Sequence, residues 1–264
     1  MPRKSPTQTA RRARDSGAMR ALARGGYAAS GVLHVLLAWL AVQLALGQSE
    51  GQADQSGAFR TLAQAPGGEL LLWAVAVGFA ALAVWQLATA VLGVPRSRHQ
   101  AGERIKSLAK GVLYGALAVT AAQTVQGSGG SGGSEESVTA DVLAMPGGRW
   151  LVGIAGLVIV GVGVYHVVKG AKKKFLRDLA GTVGPVVVRL GQVGYIAKGI
   201  ALGVVGGLVV AAAVTADASR AGGLDEALHT MRDQPFGTAL LLVVGLGIAA
   251  YGAYSFARAR FAKL

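Results

Sequence analysis

Six stretches of the chain, about 27–47, 69–93, 110–126, 149–168, 194–214 and 237–257, stay apolar long enough to cross a bilayer as helices. About 20 residues rising 1.5 Å each span the roughly 30 Å of hydrocarbon. Inside these runs no Asp, Glu, Lys or Arg is found away from an end. Glu69, Arg149 and Lys198 stand at run ends, where long side chains reach the headgroups. The first run follows a basic tail, as in a secretory signal, but it is too long for a signal core and has later counterparts, which predicts a permanent helix.

The pattern repeats. Ser30-Gly31-Val32-Leu33 returns as Lys110-Gly111-Val112-Leu113 and as Lys198-Gly199-Ile200-Ala201. Pro66-Gly67-Gly68 returns as Pro146-Gly147-Gly148 and Pro235-Phe236-Gly237. Near the end of each unit Trp85, Tyr165 and Tyr254 correspond, followed by Gln86, His166 and Ser255. The expected architecture is therefore an all-α integral membrane protein: six transmembrane helices as three tandem hairpins in a pseudo-threefold bundle. Its divisions are a basic tail (1–20) and repeats over 21–95, 96–175 and 176–264. The turns built on Pro66 and Gly68, Pro146 and Gly148, and Pro235 and Gly237 are read as structural, with Pro in the first turn of each even-numbered span. In the connections, 58–63 and 224–231 have the spacing of short amphipathic helices lying on the outer surface. Residues 127–134 form instead a Gly-Ser run expected to be flexible.

Charge orients this scaffold. Of 264 residues 52% are hydrophobic and 15% charged, with 26 Lys and Arg against 13 Asp and Glu. The N-terminal tail, the 94–110 and 169–198 connections and the C-terminus hold 22 of the basic and three of the acidic residues, a net +19. The other three connections hold four basic and ten acidic residues, a net −6. Positive charge accumulates in cytoplasmic loops, so both termini are expected to be cytoplasmic in a bacterial plasma membrane. The same asymmetry accounts for the run Lys169, Lys172, Lys173, Lys174 and Arg177 as contacts to anionic headgroups rather than to nucleic acid, for which no motif is present.

The repeated features also resemble a known family. Gly26-Tyr27, Gly194-Tyr195, Lys198-Gly199, Pro235-Phe236-Gly237 and Ala250-Tyr251 are similar to a bacterial, mainly actinobacterial, family of membrane proteins built from tandem two-helix repeats, a domain of unknown function. The resemblance covers nearly everything after residue 20, with copy two departing most, at Ser107 and the Gly-Ser run. It implies the architecture and brings no activity.

Forty glycines in so apolar a chain imply close helix contact. Gly111 with Gly115, and Gly199 with Gly203 and Gly207, form small-xxx-small pairs for packing within the molecule, with a dimer face as the alternative. The intramembrane polar candidates are His34, Gln43, Gln86, Tyr114, Gln123 and His166, and Thr89, Thr120 and Thr124 are expected to bond across helices. A bis-histidine haem needs both imidazoles at one depth, whereas His34 and His166 differ by roughly two turns. A neutral histidine bonded to nearby backbone is the favoured reading of each. Trp85, Tyr165 and Tyr254 read as an interfacial aromatic belt.

With no cysteine, no catalytic constellation and no metal or cofactor motif, the chain reads as a non-enzymatic structural, accessory or lipid-interacting membrane component without a cofactor. Its expected partners are anionic lipid and an unidentified membrane protein. The alternatives are a small channel or transporter between the repeats and, more weakly, a haem-binding redox protein.

Overall fold

The computed structural model of the chain describes residues 17–48, 52–92, 100–127 and 135–263. Most of the basic tail, with Arg11, Arg12 and Arg14, and residues 128–134 of the Gly-Ser run lie outside the described residues. Among the described residues nine α-helices follow in order: α1 (Gly17–Ala45), α2 (Gln55–Gln64), α3 (Gly68–Leu92), α4 (Gln100–Val125), α5 (Glu135–Leu143), α6 (Gly148–Ala171), α7 (Pro185–Thr215), α8 (Gly223–Arg232) and α9 (Gly237–Phe261). Six of them, α1, α3, α4, α6, α7 and α9, are long and apolar enough to cross a membrane. Among the described residues the only strand-like pairing is an isolated bridge between Leu179 and Ala262.

Helix boundaries differ from the hydropathy reading where polar segments prolong an apolar run. α4 begins at Gln100 rather than near 110, and α7 begins at Pro185 rather than near 194. The extension of α4, Gln-Ala-Gly-Glu-Arg-Ile-Lys-Ser-Leu-Ala, has good helix formers but little hydropathy. Lys110 and Lys198 therefore lie inside helices rather than at their ends. α9 similarly continues past 257 and takes in Arg258.

Neighbouring spans run antiparallel, and the extensive contacts join consecutive repeats rather than the two helices of one repeat: α3 with α4, α6 with α7, and α9 back onto α1. The hairpin pairs α1 with α3 and α7 with α9 pack less extensively, and α4 and α6, the two spans of repeat 2, do not form a packed pair. The bundle is a pseudo-threefold ring with one edge left open. α4 and α6 are also the spans with the smallest buried share.

The inter-repeat contacts are set by glycine only at a few positions. A Cβ on Gly163 would lie 2.7 Å from the Gly199 carbonyl oxygen, and one on Gly199 would lie 2.6 Å from that of Gly163. Gly156 and Gly206 make the same kind of approach one step toward the opposite face of the membrane. Of the five glycines picked out from spacing, Gly199 sits in this contact and Gly111 meets the Leu87 side chain. Gly115 barely reaches Ala83, and Gly203 and Gly207 face open space.

The three turns are built alike. Gly68, Gly148 and Gly237 donate their amides to the carbonyls of Ala65, Met145 and Gln234 at 2.8, 2.9 and 2.8 Å. The residue before each has positive φ: Gly67 +71°, Gly147 +76°, Phe236 +64°. This is the pattern of a type II turn, with Pro at the second position and a left-handed residue at the third. Proline thus precedes the helix cap instead of occupying the first turn, as its position alone suggested. Phe236 is strained there and is 89% exposed, so little packing holds it. Phe236→Gly is expected to stabilise the protein by about 0.5–1 kcal/mol, and Gly147→Phe to cost about 1–2 kcal/mol. Thermal unfolding in detergent measures both.

The connecting helices cap the bundle rather than simply lying on it. Phe59 of α2 is fully buried and meets the ring of Phe79 at 6.4 Å, and Leu228 of α8 is fully buried too. Repeat 2 keeps a counterpart, α5, immediately after its Gly-Ser run. Asp54 caps α2 by accepting the Gly57 amide at 2.8 Å, and Asp225 accepts the Ala53 amide at 2.6 Å, tying repeats 1 and 3 together. Burial raises the Asp54 carboxyl above its ordinary range and nearby Asp225 adds to this, while the bond from Gly57 opposes it. The folded state therefore holds that proton more tightly than the unfolded one. The resulting stability is fully present below the ordinary carboxylate value of about 4 and is lost as pH rises through the raised folded value. Hydrogen exchange of the α2 amides is expected to be slower in mild acid than the intrinsic pH dependence predicts, and Asp54→Asn to abolish that excess.

Candidate functional site: a cationic and aromatic cluster

The starts of α1, α4 and α7, the ends of α3, α6 and α9 and the connection 172–184 share one face of the bundle, here the basic side, and α2, α5 and α8 occupy the other. Among the cations inside spans, Lys110, Lys169, Lys198 and Arg258 gather into one cluster toward the basic side. By helix rise, Lys110 and Lys198 lie roughly 23–26 Å from the far ends of α4 and α7, and Lys169 and Arg258 roughly 31 Å from the far ends of α6 and α9. All four thus approach the boundary between hydrocarbon and headgroups.

The repeat alignment explains how they arise. Tyr27, Ser107 and Tyr195 are equivalent positions on the first spans, and Thr89, Lys169 and Arg258 on the second. At the α9–α1 contact the Arg258 guanidinium lies 4.3 Å from the Tyr27 ring centroid, with Nη2 donating to Tyr27 Oη at 3.4 Å. At the α6–α7 contact Lys169 Nζ lies 5.0 Å from the Tyr195 ring centroid. The third contact, α3–α4, carries Thr89 and buried Ser107 in the same places. One cation–aromatic device thus occurs twice and is lost once.

Lys198 adds a second device. Its Nζ lies 3.0 Å from His34 Nε2 and 4.4 Å from the Tyr251 ring centroid. His34 Nδ1 lies 2.7 Å from the Ser30 carbonyl oxygen. A carbonyl only accepts and an ammonium only donates, so a neutral His34 with its proton on Nδ1 satisfies both. His166 uses Nδ1 in the same way on the Val162 carbonyl, at 2.8 Å, and stacks on Tyr195 at 5.7 Å.

Behind the cations is a second apolar core of Phe175, Leu179, Tyr195, Tyr251 and Tyr254. Phe175 reaches it from the 3-10 turn Lys174–Asp178 and meets Tyr195 and Tyr254 at 5.4 and 5.3 Å. The Ala180 amide donates to Phe261 O at 2.6 Å, and that of Lys263 to Asp178 O at 3.0 Å, so the turn is laced to the C-terminus. Lys169 pairs with Asp178 at 2.6 Å. Lys110 is exposed on α4 and within electrostatic reach of Arg258, Lys169 and Asp178. Two polar atoms of the cluster, Arg258 Nε and Tyr254 Oη, are buried without a hydrogen-bond partner.

The candidates read from sequence are distributed unevenly. His34 and His166 join the cluster, and Tyr114 stacks on Phe79 at its edge, at 6.0 Å. Gln86 is buried on α3, Gln43 is half-buried and Gln123 is exposed, both toward the opposite side. Thr89, Thr120 and Thr124 donate to carbonyls four residues earlier on their own helices instead of across helices. The aromatic positions do not form a uniform belt: Tyr165 is exposed, Trp85 half-buried and Tyr254 fully buried. Of the basic run, Lys169 belongs to the cluster, while Lys172, Lys173 and Lys174 are exposed, as is Arg177. Arg149 caps α7 from α6 by donating to the Ala213 and Val214 carbonyls. Sequence reading missed Lys198 and Arg258 as intramembrane groups, although the offsets linking Tyr27 to Tyr195 and Lys169 to Arg258 carried the signal.

The threefold geometry coincides with a threefold family match. The model for the Domain of Unknown Function DUF1206 matches residues 25–93, 105–173 and 193–262. The chain belongs to the DUF1206 family. It is also similar to an uncharacterized protein, YxxB, of Bacillus subtilis (strain 168), with 31% identity over 240 residues, 88% of this chain and 87% of the relative. No solved structure matches. In this DUF1206 protein each match contains one hairpin, and the cationic cluster is assembled from all three.

Proposed function

We propose that this DUF1206 protein is a non-enzymatic component of the bacterial cytoplasmic membrane, with both termini cytoplasmic, that works through contact with anionic lipid and through it with other membrane proteins. The observation that carries this reading is the one-sided placement of 22 of the 26 basic residues, among them the helical cations Lys110, Lys169, Lys198 and Arg258. Cations at that level attract anionic headgroups. A conduit is less well supported, because the half of the bundle away from the cluster is filled by apolar side chains such as Leu37, Leu44, Phe79 and Val244.

The chain has no cysteine, so single-cysteine variants such as Lys263→Cys report topology directly. Labelling by an impermeant maleimide is expected in inverted vesicles and not in intact cells. Purified in mild detergent, the protein is expected to retain anionic lipid or a protein partner. Recovery without either, together with solute movement in liposomes, removes the proposal.

A further inference from the structure

The open edge between α4 and α6 and the cations at its basic end are features that the general lipid-contact reading leaves unused. Lys110 and Lys169 stand on the two helices that flank this edge, and Lys198 and Arg258 stand further into the bundle. Among the described residues Asp178 is the one carboxylate paired with them, through Lys169, so the four cations exceed their described acidic partner by three charges. The cations also retain unused donors: Lys198 gives one of three to His34, and Arg258 Nε is buried with no acceptor. A buried guanidinium donor without an acceptor is costly unless a ligand supplies one. Tyrosine rings hold two of these cations from behind, at 4.3 and 4.4 Å, which fixes their position without neutralising them. Oxyanions with several acceptor oxygens match this donor set, and phosphate does so best.

We propose that Lys110, Lys169, Lys198 and Arg258 bind the phosphate of an anionic phospholipid whose acyl chains lie along the unpaired edge between α4 and α6. This rests on the lipid-contact reading and gives it a location. Lipid, rather than a soluble phosphate, is favoured by depth and by access. The cluster lies near the hydrocarbon boundary, and the flanking helices expose apolar side chains on the sides that carry Lys110 and Lys169, among them Leu113 on α4 and Val162 on α6. An acyl chain also supplies the packing that the missing α4–α6 contact lacks.

The test uses the full-length protein in nanodiscs or detergent, with native mass spectrometry counting bound lipid from mixtures of phosphatidylglycerol and phosphatidylcholine. One phosphatidylglycerol is expected to be retained preferentially. Lys110→Gln, at an exposed position where folding is not at risk, is expected to weaken retention about tenfold, the size of one lost charge-assisted hydrogen bond. Lys198→Gln is expected to weaken it further and Lys198→Arg to restore it. The surface variant Lys172→Gln/Lys173→Gln is expected to leave it unchanged. A parallel arm uses inorganic phosphate and thermal stability: stabilisation abolished by Lys110→Gln, without retained lipid, transfers the site to a soluble phosphate and overturns the lipid assignment. Loss of lipid only in the Lys172/Lys173 variant overturns the site while leaving the broader lipid-contact function standing, whereas no preference for phosphatidylglycerol in any form overturns both. A dimer at every lipid composition, with no bound lipid, assigns the edge to a second copy and overturns the proposal.

Discussion

Gly199→Val lowers the stability of the protein by about 3 kcal/mol, the upper end of the usual range for overpacking, and Gly203→Ala leaves it within about 0.5 kcal/mol of wild type. The two positions are one helical turn apart on α7 and look equivalent in sequence. At Gly199 an added Cβ meets the Gly163 carbonyl oxygen at 2.6 Å and the Val167 amide nitrogen at 2.7 Å, and neither is a side chain that can turn aside. Relief requires α6 and α7 to separate along the most extensively packed pair of the bundle. At Gly203 nothing lies within 4 Å. Thermal unfolding of the two variants in one detergent compares them. An equal loss at both positions would show that helix propensity, and not backbone approach, governs this pair.

Phe175→Ala costs about 3–5 kcal/mol, the range for emptying a fully buried aromatic site. The side chain is completely buried, stacks on Tyr195 and meets Tyr254 edge-on. Stacked and edge-to-face pairs add about 0.5–1.5 kcal/mol beyond area alone. Because Phe175 sits in a connection, its loss loosens the 174–180 segment and the C-terminal residues bonded to it while leaving the spans inserted. The expected signature is a lower melting temperature with a changed near-ultraviolet tyrosine signal and unchanged helix content. Leu176→Ala, beside it and only partly buried, costs markedly less.

The parts of this structure that sequence discloses are those that hydrophobicity and repetition control. Apolar runs of twenty residues and the recurrence of Pro-x-Gly locate six helices and three hairpins without reference to contacts. Lys198 and Arg258 escaped because a hydropathy run ends at its first charge, while a helix continues through charged residues that favour it. Which helices pair is not written in the runs either. It depends on Gly163, Gly156 and Gly206, whose neighbours are far along the chain, whereas equally spaced Gly203 and Gly207 point elsewhere. The cation–tyrosine contacts were recoverable in principle, since Tyr27 with Arg258 and Tyr195 with Lys169 are one relation repeated. Seeing that relation requires knowing that the last span returns to the first.

That return of α9 onto α1 sets an order of events at the ribosome. α3 finds its main partner in the next span to emerge, and so does α6. α1 has to wait for a helix made roughly two hundred residues later, which at ordinary rates of synthesis is ten seconds or more. During that interval the first span sits in the bilayer with the face for α9 unfilled, packed against α2 and α3 alone, and repeats 1 and 3 cannot join until α9 has emerged.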